Sequence, residues 1–218
     1  MRNLANDLEQ MAIKRTAFIE EAYRLFCEKT IAPVSLQDIA DTAGYGIATL
    51  YRYFVNKPSL VVEVAARKWG QYLEENLNRR PDPEFNGMTA AQVFSYYLDS
   101  FLELYRNRRD LLRFNQFFNV YLQSEQIDPE AMKPYMRIME DLRQRFHIIY
   151  LKAQEDHTIR TDEPEEQMFS KTLHLMLAAV TRYAVGLVYI PESGFDPMKE
   201  LEFQKNAIWR AYLSEEAL

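Results

Sequence analysis

Apolar positions recur every three or four residues along most of the chain, and apolar and polar residues nowhere alternate for long enough to predict a strand. The pattern predicts an all-α protein. Phe18, Ala22, Leu25 and Phe26 make one stripe of a first helix over residues 8–29. Leu36, Ile39, Ala40 and Ala43 stand at i, i+3, i+4 and i+7, which puts four small or apolar side chains on one face of a short second helix. Ser35 precedes them as an N-cap, and Asp38, three residues on, is placed to reach back toward the cap N–H as in a capping box. Gly44-Tyr45-Gly46 then allows a sharp turn through left-handed backbone angles before a third helix over residues 47–54. At about 100° per residue, Leu50 and Phe54 share the inward face, while Ala48 and Arg52 lie roughly 160° from Leu50 and point outward.

Beyond this stretch, Asn56 caps a long fourth helix to about residue 78, with Pro58 tolerated in its first turn. Residues 79–87, RRPDPEFNG, read as a linker. Thr89 with Gln92 opens a helix to about residue 106, and another spans 110–124. Asp128-Pro129 starts a helix to about residue 155, and Glu163-Pro164 and Asp196-Pro197 repeat that start for the last two. The apolar run 173–190 is long enough to raise a membrane span, but His174 and Arg182 inside it predict a buried helix instead. Its Ala178, Ala179, Ala184 and Gly186 let another helix approach closely. With Leu201, Ala207, Ile208, Ala211 and Tyr212 of the final helix, they predict a four-helix bundle between two copies of the chain.

The outward face of the third helix is the first candidate for chemistry. A guanidinium reads a guanine edge bidentately, a small side chain such as Ala48 allows close approach, and the hydroxyls of Thr49, Tyr51 and Tyr53 reach phosphates. The motifs AYRLF, SLQDIADTAG and ATLYRYFVNKPSL together resemble the amino-terminal DNA-binding domain of TetR-family (tetracycline-repressor-like) regulators, over about a fifth of the chain. Thr30 stands near the family's usual glycine after the first helix, Gly46 replaces its common Ser cap, and Ala48 its common Gly. The resemblance implies a DNA-binding domain over residues 1–60 and a helical effector-binding and dimerisation domain over 61–218. It also implies a homodimeric, ligand-responsive repressor on a palindromic operator. The DNA-contact set is Ser35, Gln37, Tyr45, Ile47, Ala48, Thr49, Tyr51, Arg52, Tyr53 and Lys57. By resemblance Thr49, Tyr53 and Lys57 bind phosphates, and Tyr51 serves at either kind of contact. The rival reading is a helical protein-interaction module with a degenerate helix-turn-helix.

Composition changes this picture in three places. The net charge of −6 argues against a nucleic-acid partner until it is divided along the chain. Residues 1–68 carry nine Lys and Arg against eight Asp and Glu, +1, and residues 69–218 carry seventeen against twenty-four, −7. Only the first part is neutral enough to approach a duplex, and Lys14, Arg15 and Thr16 are either phosphate contacts or a solvated helix face. Forty-eight per cent hydrophobic residues and a polar amino-terminal start predict a globular chain that stays in the cytoplasm, away from the membrane. His147, His157 and His174 lack metal-ligand spacing, the lone Cys27 reads as a structural thiol or a redox sensor, and Gly44-Tyr45-Gly46 lacks the third glycine of a dinucleotide fingerprint. No enzyme activity, metal or cofactor is expected.

The third change is the density of aromatics and methionines in residues 96–146, which serve either as plain core or as the wall of an apolar cavity. The ligand-binding candidates are Tyr97, Phe101, Phe114, Phe117, Phe118, Tyr121, Met136, Met139 and His174, with Arg182 as a second polar group. The expected effector is small and mainly apolar or aromatic. Asp99 and Glu103 add a faint hint of a cationic compound.

Overall fold

A computed structural model describes residues 4–77, 87–190 and 193–215. Nine α-helices follow one another among them: α1 Leu4–Lys29, α2 Leu36–Thr42, α3 Ile47–Leu50, α4 Lys57–Leu77, α5 Ala90–Asn107, α6 Arg109–Ser124, α7 Pro129–Asp156, α8 Glu165–Val185 and α9 Pro197–Tyr212. Apart from a single antiparallel bridge, Ile159 to Leu213, no β-structure occurs among the described residues. The linker expected over residues 79–87 lies outside the described residues except for Gly87.

The helix starts are set by local chemistry. Thr89 Oγ1 accepts from the Gln92 N–H at 3.3 Å while the Gln92 side chain accepts from the Thr89 N–H at 2.9 Å, a complete capping box. Asp128 accepts from the Glu130 N–H at 3.0 Å, and Asp196 from Met198 and Lys199 at 3.0 and 3.4 Å, each with proline at the first helical position. Asn56 Oδ1 accepts from the Ser59 N–H at 2.9 Å and caps α4. Glu163-Pro164 departs from this rule by one residue. Pro164 itself is the N-cap of α8, with no side-chain cap, and the Glu163 carbonyl instead accepts from the Tyr150 hydroxyl at 3.0 Å.

The chain divides into two compact units. The first comprises the described part of Met1–Tyr72 with Phe114–Ile138. Phe18, Ala22 and Phe26 of α1 are wholly buried there with Ile39, Leu50 and Leu60. Phe114 stacks between Phe26 and Phe118 with ring centroids 6.4 and 5.9 Å apart. Lys68, 6% exposed, pairs with Glu20 and lies 4.7 Å over the Tyr23 ring, so the one buried cation on α4 is both paired and stacked. Thr30, immediately after α1, has φ 67°. That is the left-handed conformation glycine adopts without penalty, and a β-branched residue holds it at a cost.

The second unit comprises Leu73–Arg113 with the described part of Met139–Leu218. Phe94, Leu98, Leu102, Phe146, Met176, Val180 and Leu201 form its core. Its α5 is capped from far along the chain as well as locally. Asp156 accepts from the Ala90 N–H at 2.6 Å, Thr158 Oγ1 from the Ala91 N–H at 3.0 Å, and the Ala91 carbonyl from Trp209 Nε1 at 2.9 Å. Burial would raise the Asp156 carboxyl, but bonds from the Thr158 and Ala90 N–H groups and the Thr158 hydroxyl outweigh it and hold the group below the usual aspartate value.

The 173–190 run proves to be two pieces, because Gly186 at φ 77° ends α8 just after Val185. No described helix is long and apolar enough to cross a membrane. Nor is α8 buried all round. Met168, Thr172, Met176, Ala179 and Val180 face the core, whereas His174, Leu175, Ala178 and Arg182 are exposed. On α9, Leu201 and Ile208 face inward, and Phe203, Ala207 and Ala211 are exposed, Phe203 by 77%. Composition had merged two stripes that the helical phase separates.

Candidate nucleic-acid interface

The interface is assembled from short-range bonds. Ser35 is extended at φ −87°, its hydroxyl accepts from the Asp38 N–H at 3.0 Å, and Asp38 Oδ2 takes the Ser35 N–H at 2.8 Å and hydroxyl at 2.7 Å. These bonds lower the Asp38 carboxyl below its ordinary value. At the other end of α2 the Gly44 N–H donates to the Asp41 carbonyl and the Tyr45 N–H to the Ala40 carbonyl, at 3.1 and 3.0 Å, with Gly44 at φ 75°. This pair of bonds is a Schellman motif, and it requires a left-handed residue only at Gly44. Gly46 instead lies at φ −72°, ψ 148° and is the N-cap of α3, with no side chain to contribute a bond.

The recognition helix is shorter than its apolar spacing predicted. Regular α-helix covers only Ile47–Leu50, and the next turn tightens, the Arg52 and Tyr53 N–H groups donating to Thr49 and Leu50 carbonyls at 3.2 and 2.9 Å. Such i to i+3 bonds narrow the helix end. The Phe54 N–H still reaches the Leu50 carbonyl at 3.0 Å, so the phase of the face survives. Leu50 and Phe54 are 0% and 3% exposed, and Ala48 and Arg52 stand on the exposed side. Phe18 of α1 holds the segment from behind, its ring 5.4 Å from Tyr45, 5.9 Å from Tyr53 and 6.5 Å from Phe54.

The predicted contacts fall into groups. Ser35, Gln37, Ile47, Tyr51 and Lys57 line one open groove of about 540 Å³, with Ala32 and Pro33 of the preceding loop. Val34 of the same loop lines it too, and a loop carries no periodicity by which a sequence could place these side chains. Tyr51 is exposed and Thr49 half-buried; Gln37 is exposed with its amide donating to Asp41 at 2.7 Å. Lys14 lies 5.7 Å over the Tyr45 ring, whereas Arg15 is paired with Glu63 at 2.8 Å. Lys57 is the least available of the set. Its Nζ donates to the Ala32 carbonyl at 2.8 Å and sits 5.6 Å over the Tyr121 ring. Burial lowers its pKa, with Glu125 opposing that shift. An ammonium so placed must leave a carbonyl and a ring to meet a phosphate.

The ligand-binding candidates separate between the two units. Phe114, Phe118 and Tyr121 are buried in the first, where Tyr135 packs 4.9 Å from Phe118, Phe117 is half-buried and Met136 is 55% exposed. Tyr97 and Phe101 lie in the second, with Met139 half-buried and His174 exposed, Nδ1 3.4 Å from Ser170 Oγ. Asp99 is bonded to Lys205 at 2.7 Å and Glu103 to Arg106 at 2.7 Å, so the hint of a cation-binding acid is spent on protein cations. No cluster of three or more His, Cys, Asp or Glu side chains able to hold a metal occurs among the described residues.

A capped helix, a glycine turn and a short helix with Arg52 outward form a helix-turn-helix, the motif that sets its second helix in a DNA groove. Residues 18–64 match the family model described as bacterial regulatory proteins, tetR family. That match covers the amino-terminal domain, and the all-α fold as a whole is similar to solved structures of TetR-family transcriptional regulators. Among solved structures it resembles the ketosteroid transcriptional regulator KstR2 of Mycobacterium tuberculosis, at 15% identity and TM-score 0.59, covering 92% of this chain and 95% of that one. It also resembles the fatty acid degradation regulator FadR of Bacillus halodurans, at 14% and 0.62 over 89% and 97%. A TetR transcription regulator from Haloarcula marismortui ATCC 43049 aligns at 18% and 0.68 over 93% and 100%. No curated protein sequence matches the chain.

Proposed function

We propose that this regulator is a ligand-responsive repressor that binds a palindromic operator as a homodimer. DNA reading is assigned to residues 1–60, and effector binding and dimerisation to residues 61–218. The observation that carries the proposal is the outward placement of Ala48 and Arg52 over the buried pair Leu50 and Phe54. Arg52 is the base-reading residue, with Thr49, Tyr53 and Lys57 on phosphates and Tyr51 at either kind of contact, Lys57 leaving the Ala32 carbonyl to do so. One such helix covers only a few base pairs, so specificity needs two half-sites about 34–36 Å apart and a two-fold axis.

The exposed stripes Leu175, Ala178 and Arg182 on α8 and Phe203, Ala207 and Ala211 on α9 support a subunit interface built on those two helices. Effector binding acts by favouring one spacing of the paired DNA-binding units, because a ligand of equal affinity for both spacings shifts nothing. α4, which starts directly after the helix-turn-helix, is the lever.

A gel shift on genomic fragments across a salt series tests the reading. Sequence-selective retention is expected, and its absence at every salt leaves the protein-interaction module. Ala178→Asp and Phe203→Asp put a carboxylate on the stripes without touching the protomer core. Both should dissociate the dimer in sedimentation and weaken operator binding; an unchanged dimer moves the interface elsewhere.

A further inference from the structure

Tyr97 of α5 lies in a box of rings within the second unit, 6.4 Å from Phe94, 5.5 Å from Phe101 and 5.7 Å from Phe146, which in turn packs 5.7 Å from Phe169. Its hydroxyl is buried and finds no hydrogen-bond partner among the described residues. Buried polar groups are nearly always paired, because a donor stripped of water and given nothing in return is costly. A phenylalanine would fill the same box without that cost. Burial pushes the Tyr97 phenol well up, and the Arg145 guanidinium of α7 pulls it part of the way back. Arg145 also donates to the Leu73 carbonyl at 3.4 Å. The acids on the same helix are already engaged, Asp99 by Lys205 and Glu103 by Arg106.

We propose that Tyr97 and Arg145 are the polar anchor of the effector site, and that the site takes an apolar molecule bearing a carboxylate. The phenol donates to the carboxylate, the guanidinium supplies the complementary charge, and the rings of Phe101, Phe146 and Phe169 receive the apolar body. An alkylammonium would meet Arg145 with like charge and a donor in place of an acceptor. The proposal deepens the effector-responsive reading above and rests on it.

The test is calorimetric titration of the full-length protein with octanoate, 2-naphthoate, 1-octanol and octylamine, each to 1 mM (on the order of the weak affinities a first probe must detect), with operator binding followed in parallel. At least one carboxylate should bind, in preference to octanol, and octylamine should not. Tyr97→Phe should weaken the carboxylate about tenfold or more while raising the melting temperature of the ligand-free protein, since it removes an orphaned donor. Had the hydroxyl a structural partner, the same change would lower it. Arg145→Gln should abolish the preference for carboxylate over alcohol. Binding of neither carboxylate, octylamine binding as tightly as octanoate, or a Tyr97→Phe protein of undiminished affinity would each overturn the site. Octylamine releasing the operator while carboxylates do not bind sinks the anchor and leaves the effector reading standing. Carboxylate bound through Tyr97 with operator affinity unchanged supports the anchor and sinks the effector reading.

Discussion

Residues 35–57 and the α5–α7 core of the second unit treat their polar groups in opposite ways. In the first stretch, Ser35 is satisfied by Asp38 and Gln37 by Asp41, partners three and four residues away, Tyr51 and Arg52 are exposed, and Lys57 is the exception that reaches a distant carbonyl. In the second, the amide ends of α5 are satisfied by Asp156 and Thr158, sixty-six and sixty-seven residues distant, and buried hydroxyls, that of Tyr97 among them, have no partner among the described residues. A surface made of neighbours keeps its shape while its exposed residues change, so a DNA-reading face can vary in specificity at little cost in stability. A core closed by distant partners couples its internal polar groups to folding, which suits a site whose occupancy must be felt elsewhere.

Substitutions that cross this division should break the contrast most. Phe18→Ala removes the ring that backs Tyr45, Tyr53 and Phe54 and should cost about 3–5 kcal/mol of stability in chemical denaturation, with DNA binding lost alongside. Arg52→Ala should leave the denaturation midpoint unmoved and cost about 1–3 kcal/mol of operator binding, relaxing preference at one base position in a binding selection. If Arg52→Ala instead lowered the midpoint, the outward face would be structural.

The distant caps sharpen the other side of the comparison. Asp156→Ala should destabilise the protein by about 0.5–2 kcal/mol, as loss of a helix cap does. The pH dependence has a definite sign. The folded Asp156 carboxyl lies below its ordinary value, so its contribution is present above about pH 4 and disappears as pH falls through the folded value. The stability curves of the wild type and Asp156→Asn should be offset above that window and converge as pH falls through it; parallel curves would show that the carboxylate charge does not matter.

The smallest expected change is at Thr30. Thr30→Gly relieves a positive-φ position, worth about 1–2 kcal/mol by handedness alone, and returns about 0.5–1 kcal/mol through the more flexible unfolded chain. A net gain of a few tenths of a kcal/mol to about 1 kcal/mol should appear as a slightly raised melting temperature. A loss would mean that the threonine side chain makes a compensating contact.

The α-helical class, the cap residues Ser35, Thr89, Asp128 and Asp196, and the outward phase of Ala48 and Arg52 were legible in the sequence. Each depends on residues within four positions of one another, and period and capping chemistry act at that range. Tertiary structure alone decided the remainder. The amino-terminal ring cluster draws in Phe114 and Phe118 from the middle of the chain, which separates them from Tyr97 and Phe101 although all four looked alike as aromatic residues of one region. Lys57, expected at a phosphate, is held by the Ala32 carbonyl and the Tyr121 ring, twenty-five and sixty-four positions away. Ala178 and Ala179 have the same side chain, yet one is exposed and the other buried, because what a methyl group meets is set by the helices packed around it. Hydrophobicity is non-directional, so composition says that a residue can be buried but not against what. That choice is made only when distant segments compete for the same space.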